Sequence, residues 1–186
     1  MATVHPDQLK AGADGAASSS PEARAIPWPG RYQIDTSFSA VTFRTRHLFG
    51  LAPVRGSFAI RTGTIRVTEP LALSSVYAEI DPASFRTGNA RRDTTVHSAR
   101  LLDPLRYPVM TFTAEGINSL SLYGMLTVRN VTMPIILPIE QSAVTPRSFD
   151  ARATMRIDRT EFGVTAYRGL AGRYLDMTVK VRCVRT

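Results

Sequence analysis

The chain has little of what metal and nucleophilic chemistry requires. Its 186 residues include one cysteine, Cys183, which excludes an internal disulfide framework and any zinc or iron–sulfur site built on several thiolates. Three histidines, His5, His47 and His97, are too few and too scattered to predict a metal centre. A Gly-x-Ser-x-Gly elbow, a phosphate-cradling glycine loop and a dinucleotide fingerprint are all missing. No apolar run reaches the ~18 residues of a membrane-spanning helix. Lysine is nearly absent: Lys10 and Lys180 stand against 21 arginines. The expectation from these absences is a protein with no metal, no cofactor and no catalytic residues.

Residues 1–27 form a compositional unit of their own. Ala11 to Ala25 is Ala, Ser, Gly and Asp with almost nothing to pack, so a disordered tail is predicted there. Lys10 is followed by Ala-Gly-Ala-Asp, not by the apolar stretch of a secretory signal, which predicts a cytoplasmic protein. The whole chain carries +8, and the tail carries two basic residues against three acidic ones, so the domain from 28 to 186 carries +9. Within it the arginines at 44, 46, 61, 66, 152, 156 and 182 are spread along the sequence, and no basic run exceeds Arg91-Arg92. That spread argues against nucleic acid and for a diffuse attraction to anionic membrane surfaces.

The domain is written in period 2. From Leu175 to Cys183 every odd position is apolar and every even one polar, the pattern of a strand with one dry face. The same alternation runs through Phe149 to Ile157, Met133 to Ile139, Leu120 to Val128 and Met110 to Ala114. Earlier it appears in Val76 to Ile80, Val54 to Ile60, Val41-Phe43 and Tyr32-Ile34. Turns are predicted at Gly63, Glu69-Pro70, Gly116, Asn130, Pro146 and Gly169 to Gly172, and a short helix or crossover within 88–103. Strictly alternating antiparallel strands make a sandwich or a barrel. Gly56 and Gly124 fall on the dry phase, where they suit tight curvature or space for a guest. Pro134 and Pro138 fall on the wet phase of one strand and predict an unpaired edge or a bulge in it, an edge that also suits a second copy of the chain. Cys183 lies on the dry phase, where a thiol acts as a small inert hydrophobe.

Five stretches, in order, resemble the YceI-like family of lipocalin-shaped, polyisoprenoid-binding proteins. They are Tyr32-Gln33-Ile34-Asp35 with Ser39 to Phe43; Arg46-His47-Leu48 with Val54 to Phe58; and Arg92-Asp93 through Thr111-Phe112. The last two, Gly124 to Pro134 and Ile157 to Val164, are the most specific. The resemblance implies an all-β, eight-stranded antiparallel barrel with an elongated apolar pocket. Where family members often carry a histidine shortly after the Arg-Asp pair, this chain has Thr95.

Alternation alone says which face is dry, not whether the barrel is hollow, and by itself it favours a filled core. The resemblance favours a hollow one. Phe43, Phe58, Met110, Phe112, Leu126, Met155 and Met177 would then line the pocket, with His47 and Arg92 near the ligand's polar end. The implied ligand is a polyisoprenoid, an isoprenoid quinone or a similar lipid, bound for carriage, storage or sensing. An isomerase-type enzyme using the same pocket is the alternative, with His47 as the residue to mutate.

Overall fold

A computed structural model describes residues 25–47, 50–118 and 121–186. Most of the predicted tail therefore lies outside the described residues. The elements are β1 (Gly30–Ile34), β2 (Ala40–His47), β3 (Ala52–Val67), β4 (Ser75–Arg86), α1 (Ala90–His97), β5 (Met110–Ile117), β6 (Ser121–Val128), β7 (Val131–Val144), β8 (Ser148–Asp158) and β9 (Tyr174–Arg185).

All neighbours are antiparallel, and β2 to β9 follow one another around a ring closed by the β9–β2 pairing. β1 shares a position with β2. Both pair with β3, β1 through residues 64–67 and β2 through 52–58, and both pair with β9. The result is a closed eight-position barrel with one extra strand and one short helix, as the alternation and the resemblance predicted. Closure follows from the pattern: each strand has one dry face, and a ring turns all of these inward with no exposed edge.

The glycines and prolines show how the wall bends. Gly63 is not a turn; β3 runs through it, because the Ile34 side chain packs onto the space a Cβ would need. Gly116 lies inside β5 at φ 88°, where the β5–β6 register slips between Ala114 and Ile117, a bulge and not a hairpin end. The β6–β7 turn does fall at Asn130, with Arg129 and Asn130 at φ 50° and 64°, the backbone of a tight two-residue hairpin. Gly56 and Gly124 hold no space for a guest. The Phe43 ring covers Gly56 and the Phe112 ring covers Gly124, each from the paired strand. Pro134 and Pro138 behave as predicted: residues 131–138 of β7 pair with β6, and among the described residues β8 is joined only by 139–144, with a register shift at Ile139/Gln141. Phe162 and Val164, in the connection that follows β8, are both buried and stand on the inner wall.

Strand order corrects one expectation outright. The arginines scattered in sequence at 44, 46, 61, 66, 152, 156 and 182 all lie on β2, β3, β8 and β9, which are consecutive in the ring. β5, β6 and β7 carry no lysine or arginine. One wall is therefore strongly basic, and the other exposes Tyr77, Tyr123, Met125 and Ile136. On the basic wall Arg44 sits opposite Arg55, and Arg152 opposite Lys180, like charges that weaken a ladder. Some are neutralised: Arg152 by Glu140 at 3.0 Å, Arg156 by Asp176 at 2.7 Å and Arg182 by Asp150 at 2.9 Å.

Candidate functional site

The barrel is hollow. A cavity of about 860 Å³ runs from one end to the other. Its wall is built by the inward phase of every barrel strand, so the alternation read from the sequence is the alternation of cavity lining and solvent. Phe43, Phe58, Met110, Phe112, Leu126, Met155 and Met177 all stand on this wall, together with Ile60, Ile80 and Ile135. Phe43, Phe58 and Phe85 form a cluster of rings with centroids 5.3 to 5.8 Å apart, Phe43 and Phe85 stacked and Phe58 tilted against both, and all three line the cavity. Phe85 carries no sequence signal of its own: it lies beyond the alternating run Val76 to Ile80 and off its even phase, although β4 continues to Arg86.

Polar lining is confined to the ends. The four connections β2–β3, β4–β5, β6–β7 and β8–β9 meet at one end, which α1 crosses. Here Asn89, Arg91, Arg92 and Thr95 of the helix face His47 of β2 and Arg159 and Tyr167 of the β8–β9 connection. Asn89, Arg91, Tyr167 and Leu170 line the cavity and are also exposed, so this end opens to solvent.

The helix is held by its first turn. Asn89 caps it, its side-chain oxygen accepting from the Arg92 N–H at 3.0 Å. Asp93 accepts from the Thr87 N–H at 3.1 Å and from its hydroxyl at 2.5 Å. Arg92 Nε donates to the same Thr87 hydroxyl at 2.7 Å. Arg92 thus lines the cavity while tying α1 to the end of β4. His47 also lines the cavity; His97 does not, and its ring meets Phe85 edge-on at 6.0 Å. After the helix, buried Leu101 and Leu102 close over the cavity.

The β8–β9 connection is ordered by two charged residues. Arg159 donates to the carbonyls of Gly172 at 2.8 Å, Ala171 at 3.2 Å and Val164. Burial pushes its pKa down, against the nearby Asp158 carboxylate. Asp158 is 8% exposed and accepts from the Thr160 hydroxyl at 2.6 Å, the Thr160 N–H at 2.9 Å and Arg173 Nε at 2.7 Å. Burial alone would raise its pKa, but these donors outweigh it and hold the carboxyl below the usual range.

At the other end Ala25, Ile26 and Pro27 cross the cavity, and the Ser142 hydroxyl donates to the Ala25 carbonyl at 2.6 Å. The composition of the sequence places these three residues in the tail. They carry no strand phase, so nothing in the sequence marks them as cavity wall. Among the described residues there is no group of three or more metal-ligating side chains, and no helix is long and apolar enough to cross a membrane.

Known proteins share this architecture. Two solved structures superpose with TM-scores of 0.68: BcnA of Burkholderia cenocepacia, at 20% identity over 82% of this chain and 99% of that one, and a domain from Saccharophagus degradans at 14% identity over 83% and 98%. The latter is described as a polyisoprenoid binding domain implicated in plant cell wall breakdown. In sequence, a UPF0312 protein of Vibrio cholerae is 28% identical over 83% of this chain and 87% of its own length. Protein YceI of Escherichia coli O157:H7 is likewise 28% identical, over 83% and 86%. The model of the YceI-like domain matches residues 32–184, from the first barrel residues to the last strand. The chain belongs to the YceI-like family.

Proposed function

We propose that the protein binds one elongated apolar molecule, a polyisoprenoid or an isoprenoid quinone, along the barrel axis, as a carrier, store or sensor and not as an enzyme. The observation that carries this reading is the cavity: about 860 Å³, apolar through its length, with polar groups only at its ends. That volume is in the range of sites for small organic ligands. Burial of each CH₂ of the ligand contributes about 0.8 kcal/mol, so a chain filling the cavity is held without any specific polar contact. The ligand's polar end sits at the helix-bearing mouth, beside His47 and Arg91. Arg92, bound to Thr87, positions α1 there.

The relatives support the same reading, one of them being described by its polyisoprenoid binding. An isomerase would need an acid or base against the middle of the ligand. The titratable lining residues His47, Arg91, Arg92, Arg159 and Tyr167 all stand at one end.

The test is lipid extraction of the purified protein followed by mass spectrometry, with titration of added prenols and quinones of graded length. The expected outcome is one bound prenyl lipid per chain. No extracted lipid together with no uptake of any added prenyl compound contradicts the proposal.

A further inference from the structure

We infer that the mouth crossed by α1 is a membrane-docking rim, built to seat on an anionic lipid bilayer. The inference rests on the reading of the cavity as a lipid site. It starts from three leucines that the core does not explain. Leu105 is 98% exposed, Leu51 82% and Leu170 49%. A single exposed leucine means nothing. These three belong to three different connections, β4–β5, β2–β3 and β8–β9, and all three connections surround one opening. Leu170 itself also lines the cavity, joining the outer apolar rim to the apolar interior.

Charge selects the surface that this rim meets. The connections at this end (48–51, 87–109, 129–130 and 159–173) hold eight arginines against three carboxylates. The connections at the opposite end (68–74, 118–120 and 145–147) hold only Glu69 and Arg147, which cancel. Arg46, Arg91, Arg100, Arg106 and Arg168 are exposed at the leucine-bearing end and have no carboxylate within ion-pair distance among the described residues. The basic wall adds to them, since Arg44 and Arg55 lie near the same end of β2 and β3. Leucines at the tips with guanidinium groups around them match the interface of an anionic bilayer, where apolar side chains enter the acyl boundary and cations pair with phosphates. In that pose the cavity opens onto the lipid, so an apolar ligand passes between bilayer and barrel without crossing water.

The opposite end makes the proposal testable, because it also exposes apolar groups, Leu73 and Trp28, but carries no net charge on its connections. The experiment is co-sedimentation of the full chain with vesicles of phosphatidylcholine and with vesicles containing phosphatidylglycerol, at low and high salt. The expected result is binding to the phosphatidylglycerol vesicles that falls with salt. The Leu51→Ser/Leu105→Ser variant should weaken it by about ten-fold, and Leu73→Ser/Trp28→Ser should leave it unchanged. Uptake of a soluble apolar dye, measured without vesicles, should be the same in the wild type and both variants. A wild type that ignores phosphatidylglycerol vesicles overturns the docking rim. So does a Leu51→Ser/Leu105→Ser variant that binds like wild type, a larger loss from the opposite-end variant, or tighter binding to duplex DNA at the same salt. Dye uptake that fails in the wild type strikes the cavity reading instead and leaves the vesicle result standing.

Discussion

Cys183 is fully buried between β8 and β1 partners, and burial pushes its thiol from about 9 up to about 12. The folded chain holds this proton where the unfolded chain releases it. The contribution to stability is complete below pH 9 and is lost as pH rises toward 12. Urea unfolding at pH 7 and pH 10 should show the wild type losing about 1 kcal/mol more than Cys183→Ala over that interval. A thiol reagent at pH 8 should label the protein only once it is unfolded. Asp158 works in the other direction. Its carboxyl is held below the usual range, so its contribution is present at neutral pH and disappears as acid carries the pH down through that depressed value. Asp158→Asn should lower stability at pH 7 by about 1 to 3 kcal/mol and flatten the acid limb of the stability curve. Cys183 could be read from the sequence, since its phase on the last strand already places it in the dry interior. The roles of Asp158 and Arg159 could not: besides the local partners Thr160 and Val164, their bonds to Arg173 and Gly172 reach more than ten residues across an aperiodic connection.

At the scale of elements, the wall is shaped by side chains lying on glycines of the neighbouring strand. A Cβ on Gly124 would meet the Phe112 ring at 2.6 Å and the Thr113 carbonyl closer still. The backbone cannot retreat, so Gly124→Ala should destabilise the fold by about 1 to 3 kcal/mol, and trimming Phe112 should not restore it. Gly63 differs. Its nearest neighbour is the flexible end of Ile34, with the Tyr77 carbonyl at 3.1 Å. Gly63→Ala should cost less, and Ile34→Val should recover part of the loss; thermal melts of the two single variants and the double variant decide this. The strand phases were legible wherever the ladder runs unbroken; at the bulges the inward phase moves by one residue, from Ile60 to Ile65 on β3, from Ala114 to Ile117 on β5 and from Ile139 to Ser142 on β7. The continuation of β3 through Gly63 was not, since a glycine in a strand carries the same signal as a glycine in a turn until its cross-strand neighbour is known. The prolines of β7 were legible for the opposite reason: a missing N–H says something about pairing whatever the partner is.

At the scale of the molecule, ring order does what sequence order hides. Arginines far apart in the chain become one basic wall because β3, β2, β9 and β8 are neighbours, and four connections become one basic rim because alternate turns meet at one end. Hollowness was equally invisible in the pattern, since inward residues look the same around a filled core and an empty one; only the resemblance pointed to a cavity. With that cavity apolar along its length, affinity for prenyl compounds should climb with each added unit while free wall remains, and then level off once the interior is full. Phe58→Ala, which removes one ring of the cluster lining the cavity, should move that plateau to a longer chain. The most direct check on the central claim is mass spectrometry of the intact, gently desolvated protein as purified. The account predicts a mass increment of one prenyl lipid per chain, lost on extraction and restored by adding the lipid back. A bare polypeptide mass that no prenyl compound shifts would contradict it.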